Sequence, residues 1–458
     1  MITNTPQSTI QRIVASQRTL FQSGATLDLK FRRAQLQRLE AALKKWEQPL
    51  AEALWLDLHK SYEEAYMTEL SIVLGEIRNH LKHLGRWARP ERVASPLKIF
   101  PSRSRVITEP LGSALIIAPW NYPVQLLLNP LVGAISAGCT ALLKPSPYVP
   151  HTARVLEELI RESFDERYIA LVQGNREVNQ QLLEERFDCI FFTGSPDLGR
   201  RVMEAAAKHL TPVVLELGGK SPCIVDRDAD LKVAARRIAW GKSLNAGQTC
   251  IAPDYLLLHE EVREAFLPEL EKAFHDLLGK DPKQSRHFVR IVSDRAFDRL
   301  TGYLAEGTIR FGGRTDRAER YIEPTVLEGV SASDAVMQEE IFGPILPVVP
   351  FHEIDEAIDF VTRREKPLAL YYFGQKHRKE VLHRTSSGGA CLNDTIMHIA
   401  NERLPFGGVG QSGMGRYHGR DSYLAFSHRR SVVSTTTRFD LPLRYMPYGL
   451  FRWIKGLL

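Results

Sequence analysis

Little cysteine, no export signal, no metal-ligand cluster and almost no net charge outside the C-terminal tail each remove a class of protein. Five cysteines in 458 residues, an odd number without a Cys-x-x-Cys pair, argue against a disulfide framework or a zinc site and fit a reducing compartment. Four of them, Cys139, Cys189, Cys223 and Cys391, sit in apolar surroundings and read as buried, inert thiols. The start, Met1 to Pro6, lacks a basic region followed by an apolar stretch, so a cytoplasmic location is expected. No transition-metal cluster is visible, and no metal is expected. The formal charge is +6, but Arg429, Arg430, Arg438, Arg444, Arg452 and Lys455 against Asp440 put nearly all of it in the tail. The remainder is close to neutral, which removes the electrostatic case for nucleic-acid binding.

What is present is a chain with 44% hydrophobic residues, enough for sizeable cores and too long for one ordinary domain, so two large lobes are expected. Residues 8 to about 88 read as helices, with Leu29, Leu36, Leu39, Leu43 and Trp46 at helical spacing. From about residue 103 short apolar runs alternate with helical ones. The first runs are 105–107 and 114–117, and those at 140–143, 169–172, 189–192 and 213–215 fit parallel strands buried on both faces. A second set follows, with strands at 223–225, 255–258 and 345–349 and helices at 231–244 and 261–278. The fold class is α/β. No internal repeat or low-complexity linker is apparent.

Three residues suggest chemistry. Cys250, in Gly247-Gln248-Thr249-Cys250, is a thiol among small and polar residues that can serve as a nucleophile. Glu216, in Glu216-Leu217-Gly218-Gly219-Lys220, is a carboxylate beside two glycines that can swing to reach water or substrate. Asn121, in Pro119-Trp120-Asn121-Tyr122-Pro123, can donate to an oxyanion. Each has a plainer reading: a structural thiol, a capping or surface carboxylate, a turn former before Pro123. Their joint presence favours chemistry.

These motifs, with Lys144-Pro145-Ser146, Phe192-Thr193-Gly194-Ser195, Glu340-Ile341-Phe342-Gly343-Pro344 and Pro405-Phe406-Gly407-Gly408, occur in an order that resembles the NAD(P)-dependent aldehyde dehydrogenases. The short N-terminus and the run from Leu404 to Gly415, followed by Tyr417-His418-Gly419, look most like the class 3 branch, which includes fatty and aromatic aldehyde dehydrogenases. The resemblance implies an α/β fold with a Rossmann-type cofactor lobe, an α/β catalytic lobe and a small oligomerisation arm. Its boundaries would be 1–215 for the N-terminal helices and cofactor lobe, including arm strands near 100–111, and 216–400 for the catalytic lobe. Residues 401–440 would return to the first lobe with an arm strand near 427–435, and 441–458 would form a tail. A homodimer is typical of this branch. The implied reaction is oxidation of an aldehyde to its acid through a Cys250 thiohemiacetal and thioester, with Asn121 as oxyanion donor and Glu216 as base.

The cofactor signals are individually weaker. Gly194-Ser195-Pro196-Asp197-Leu198-Gly199 is not G-x-G-x-x-G, but it follows a strand and opens a helix whose N-terminal amides can meet a pyrophosphate; a plain turn is the other reading. Lys144 is expected near the adenosine ribose. Glu340 and Phe342 resemble the pair that holds the nicotinamide ribose and packs by the ring, and Trp120 belongs to the same site. NAD-preferring relatives commonly carry Glu three residues after this lysine; here Pro147 stands there, so NAD and NADP should both be tolerated. By resemblance Tyr66, Tyr122, Thr395, Ile396, His398 and Phe406 would line an apolar funnel, with a core role equally open for His398.

The tail places Leu450, Phe451, Ile454, Leu457 and Leu458 on one helical face beside basic residues. It falls short of the roughly 20 apolar residues of a spanning helix. Peripheral membrane contact and packing on the protein's own dimer or substrate mouth both remain open. Two other functions compete: a coenzyme A-acylating relative, against which Glu216 argues, and a non-catalytic structural or membrane-binding protein, against which the intact chemical residues argue.

Overall fold

The structure, a computed structural model, describes residues 3–440, 442, 445–449 and 451–455. Its first sheet has six strands in the order Gly413–Met414, Val213–Glu216, Cys189–Thr193, Ser113–Ile117, Thr140–Lys144 and Ile169–Leu171. All neighbours are parallel except the first pair. The apolar runs are continuous because helices cover both faces. Helix Gln125–Ala137 is buried along its whole length on one side, and Gln7–Gln22 packs Ile10, Ile13 and Val14 with Leu115 and Leu142 on the other.

The second sheet has seven strands in the order Thr308–Phe311, Thr325–Glu328, Ile345–Phe351, Tyr255–His259, Pro222–Val225, Ala369–Phe373 and Gly389–Leu392. Only its first pair is antiparallel. The flanking helices Leu231–Ser243 and Glu260–Leu278 fall where the periodicity places them. A third sheet joins Glu91–Val93, Arg103–Pro110 and Ser427–Ser434, all antiparallel. The chain therefore leaves the first sheet at Glu216, builds the second, and returns at Gly413 to pair beside Glu216.

The N-terminal helices Leu29–Lys45, Glu47–Leu58 and Ser71–Trp87 wrap the first sheet, and Leu36, Leu39 and Leu43 are buried. Between the last two lies a five-residue π-helix, Tyr66–Leu70, a geometry that often marks functional sites. In the tail a helical turn spans Phe451–Ile454; Leu450, Leu457 and Leu458 of the expected apolar face lie outside the described residues. Among the described residues no helix is long and apolar enough to cross a membrane.

Candidate active site

The nucleophile segment is built on strained backbone. Helix Leu231–Ser243 ends, and Asn245, Ala246 and Gly247 follow with φ of 51°, 52° and 71°, three successive left-handed residues. For a non-glycine such a conformation costs about 1–3 kcal/mol. Gly247 is also sterically required, since a Cβ there would lie 2.3 Å from the carbonyl oxygen of Gly343. The turn delivers Cys250, the one partly exposed cysteine of the five; the other four are buried and free. Burial, then the Glu340 and Glu216 carboxyls, push its pKa above the ordinary thiol range, against a smaller opposing effect of the Cys250 and Ile251 backbone amides. The resting group is a thiol.

Glu216 ends its strand, opposite Thr193 on one side and Gly413 on the other. Its side chain is buried, and among the described residues neither carboxyl oxygen has a hydrogen-bond partner. Burial therefore raises its pKa well above the carboxylate range. A buried, unpartnered acid is costly and marks a site of function rather than stability. Cys250 and Glu216 line the same apolar cavity of about 70 Å³.

Tyr122, Ile396 and Phe406 form walls of this cavity, as the sequence suggested; Thr68, Ile72, Leu244, Ile399 and Tyr417 join them. Thr68 and Ile72 are one helical turn apart, a spacing that shares a face, but nothing in sequence marks that face as the site's. Tyr66, Thr395 and His398 stand outside the lining. Tyr66 stacks on Tyr62 at 6.2 Å, and the buried Thr395 donates its hydroxyl to the carbonyl of Arg237. His398 stacks on Phe406 and sits 3.3 Å from the sulfur of Cys391; burial lowers its pKa to about 4. Asn121 is buried and donates from Nδ2 to the carbonyl of Gln248 at 3.0 Å, two residues before Cys250. It touches the nucleophile segment without lining the cavity.

The cofactor candidates form two groups. In the first, Ser195 caps helix Pro196–Ala207, with proline at its first position. Two close approaches require glycine: a Cβ on Gly194 would meet the Phe192 ring at 2.6 Å, and one on Gly199 the Leu217 side chain at 2.8 Å. Leu198, with Ile117, Phe192, Val202 and Arg201, lines a cavity of about 610 Å³ beside this helix. Asp197 pairs with Arg200. Lys144 is buried at the end of its strand, its ammonium donates to the Pro145 carbonyl, and burial lowers its pKa to about 8.

In the second group, Trp120 and Phe342 meet edge to face at 5.3 Å. Phe342 has φ of 52°. Glu340 lies against Gly218, where a Cβ would sit 1.9 Å from its Oε2. Gly218 is thus a seat for Glu340 as well as a neighbour of Glu216. Lys220 fixes the same segment, donating to Asp254 and to the carbonyls of Val336 and Glu339. Burial, then Asp254, raises the Glu340 pKa to about 8. Among the described residues no cluster of three or more His, Cys, Asp or Glu could hold a metal.

A partly exposed cysteine and a buried glutamate on one apolar cavity, with a strand–glycine turn–helix unit beside it, fit a dehydrogenase. The chain belongs to the aldehyde dehydrogenase family, whose model matches residues 1–432. It is 47% identical over 444 residues to the 4,4'-diaponeurosporen-aldehyde dehydrogenase of Staphylococcus aureus, covering 96% of this chain and 97% of that one. It is 48% identical to the human aldehyde dehydrogenase family 3 member B1, covering 94% and 93%, and 46% identical to the rat dimeric NADP-preferring aldehyde dehydrogenase, covering 93% and 94%. The solved substrate-bound state of Staphylococcus aureus AldH superposes with a TM-score of 0.96 at 46% identity, over 98% of this chain and 99% of that one. The chain is an NAD(P)-dependent aldehyde dehydrogenase of the class 3-like branch that oxidises aldehydes to acids.

Proposed function

We propose that this enzyme oxidises apolar aldehydes, medium- or long-chain aliphatic or aromatic, with Cys250 as nucleophile, Glu216 as base and Asn121 as oxyanion donor. The observation that carries this reading is the shared cavity: a thiol and an unpartnered carboxyl face one small space walled by Tyr122, Ile396, Ile399 and Phe406. Apolar walls select an apolar substrate by burying its surface.

In the proposed sequence the Cys250 sulfur, its proton lost to water, attacks the carbonyl carbon. The oxyanion that forms is held by the Cys250 N–H and Asn121 Nδ2. Loss of hydride from this adduct, for which bound NAD(P)+ would supply the acceptor, would leave the acyl group as a thioester on Cys250. Glu216, made a carboxylate by passing its own proton to solvent, then takes a proton from water, whose oxygen attacks the thioester; the Cys250 thiolate leaves, and the acid is released. The cofactor would be held by the amides of the 194–199 turn and by Lys144, Glu340, Phe342 and Trp120. The glycine close approaches at Gly194 and Gly199 fit such a group. Pro147 offers no carboxylate against a 2′-phosphate, so NAD+ and NADP+ would both serve.

The division into a cofactor lobe at 1–215, a catalytic lobe at 216–400 and a return at 401–440 follows the two sheets. The third sheet exposes Val93 and Val433, and the turn between its first two strands exposes Phe100, which supports a homodimer through this arm. A cytoplasmic location, with peripheral membrane contact through the basic tail, belongs to the same reading. The test follows reduced cofactor over aldehydes from acetaldehyde to hexadecanal and benzaldehyde, with and without coenzyme A. Turnover without coenzyme A that rises with chain length is expected. Cys250→Ala should lose turnover and keep cofactor binding. Glu216→Gln should keep one rapid turnover and lose about 10²–10⁴ in the steady state. Substantial steady-state activity in Cys250→Ala removes that residue from its role.

A further inference from the structure

The oxyanion donor is held by residues that lie far from it in sequence. Lys60 and Glu69 form an ion pair at 2.6 Å with both side chains fully buried. The Lys60 ammonium also donates to the backbone carbonyl of Asn121 at 3.1 Å and lies 4.2 Å from the centre of the Tyr122 ring. The second oxygen of Glu69 accepts from the backbone N–H groups of Val124 at 2.7 Å and Gln125 at 3.3 Å. One charge pair therefore grips the 121–125 segment on both sides of its turn. The Asn121 carbonyl takes a second hydrogen bond from Asn245 Nδ2 at 2.9 Å, which also donates to the Gln248 carbonyl. That is the same carbonyl the Asn121 side chain reaches.

A fully buried ion pair is weak as a stabilising device, because desolvation of two charges offsets most of their attraction, and well-packed apolar residues often do as well. What it supplies instead is direction, since each of its hydrogen bonds ends on backbone of the catalytic segment. We propose that Lys60 and Glu69 are positioning residues for the known reaction, holding the Asn121 peptide so that its side-chain amide stays beside the segment carrying Cys250. The inference rests on the proposed role of Asn121. The helical N-terminal segment thereby becomes part of the catalytic apparatus through the loop just before the π-helix and the π-helix itself.

Glutamine at 69 cannot replace the carboxylate. If its oxygen faces Lys60, its NH2 opposes the N–H of Val124; if reversed, its NH2 opposes the ammonium. Lys60→Arg keeps the ion pair, and so the fold, while moving the donor from the Asn121 carbonyl. The experiment measures reduced-cofactor formation in a single turnover, with full-length enzyme in excess over octanal and NAD+ saturating. It compares wild type, Asn121→Ala, Glu69→Gln, Lys60→Arg and the double variant Asn121→Ala/Glu69→Gln. NAD+ affinity is measured in parallel.

Asn121→Ala should slow the single turnover by about 10²–10³. Glu69→Gln and Lys60→Arg should slow it by about tenfold or more, with NAD+ affinity unchanged. In the Asn121→Ala background Glu69→Gln should cost almost nothing further, because the group it positions is gone. If Asn121→Ala turns over at the wild-type rate, the reading of Asn121 fails and this inference with it. If Asn121→Ala is slow but Glu69→Gln multiplies the loss, or Lys60→Arg keeps the wild-type rate, the positioning role alone is overturned.

Discussion

The hydroxyl of Tyr371 donates to the carbonyl of Ile251, the residue after the proposed nucleophile, and Ile251 and Ile396 wall the same cavity. Ile396 is a β-branched residue at φ 63°, ψ −34°, the centre of a tight turn closed by Met397 N–H donating to the Thr395 carbonyl. Such a conformation persists only when its surroundings over-determine it. Tyr371, at 0% exposure and close enough to the Ile396 amide for it to act on the phenol, is part of that surrounding. Tyr371→Phe leaves the buried Ile251 carbonyl without its donor, at a cost of about 1–3 kcal/mol. Denaturant unfolding should show this loss, and kcat should fall by about tenfold to 10²-fold from misplacement of the reacting groups. Wild-type kcat in a destabilised Tyr371→Phe would confine the residue to packing.

The seat of Glu340 on Gly218 gives a second prediction. Alanine at 218 brings a methyl within 1.9 Å of the Glu340 carboxyl, which must then move from the site proposed for the nicotinamide ribose. Gly218→Ala should weaken NAD+ binding about tenfold, or ~1.4 kcal/mol. The Gly219 position is roomier, with its nearest atom at 3.4 Å, and the same substitution there should act less. Equal effects at the two glycines would show that backbone freedom near Glu216, rather than the seat of Glu340, is what matters.

This pair also shows where sequence reasoning stops. The strands at 114–117, 140–143, 189–192 and 255–258 were legible because burial on both faces makes them short unbroken apolar runs. Cys250, Glu216 and Asn121 can be singled out from the sequence because each sits in a motif of its own, and the proposed chemistry rests on them. The reason for Gly218 was not, since the atom it accommodates belongs to Glu340, far along the chain. Lys60 and Glu69 carry no local signal, as a buried charge pair looks like two surface charges until the fold closes over it. Strands Ala369–Phe373 and Gly389–Leu392 carry no clear signal in the sequence; the first contains two tyrosines, Tyr371 and Tyr372, whose hydroxyls find buried partners at Ile251 and Asp226. Ile396 went into the pocket by resemblance, but its left-handed backbone is invisible in its identity.

Glu340 predicts a pH dependence of stability. Its carboxyl is raised from 4.5 to about 8 by burial, so the folded chain binds this proton more tightly than the unfolded chain. Between those values the unfolded state is the less protonated one. The contribution is therefore fully present below about 4.5 and is lost as pH rises toward 8. Glu340→Gln cannot ionise and lacks this slope. The difference between wild-type and Glu340→Gln unfolding free energies, measured from pH 4.5 to 8 without cofactor, should move in favour of the variant as pH rises. A flat difference would mean that Glu340 is already ionised in the folded protein.

Cofactor choice tests the bare end of the strand that carries Lys144. The buried ammonium, its pKa lowered to about 8, donates to the Pro145 carbonyl, and Pro147 beyond it offers no charge to oppose a 2′-phosphate. Introducing a carboxylate there supplies that opposition and an acceptor for ribose hydroxyls at the same time. Pro147→Glu should lower kcat/KM with NADP+ by about tenfold or more while holding or improving that with NAD+, a shift of ~1.4 kcal/mol or more in the ratio. The two cofactors should be compared at several salt concentrations, because screening weakens an exposed charge repulsion. A ratio that falls toward the wild-type value as salt rises identifies electrostatic repulsion as the cause. An unchanged ratio at low salt would place the 2′-phosphate away from residue 147 and overturn the reading of tolerance from this position.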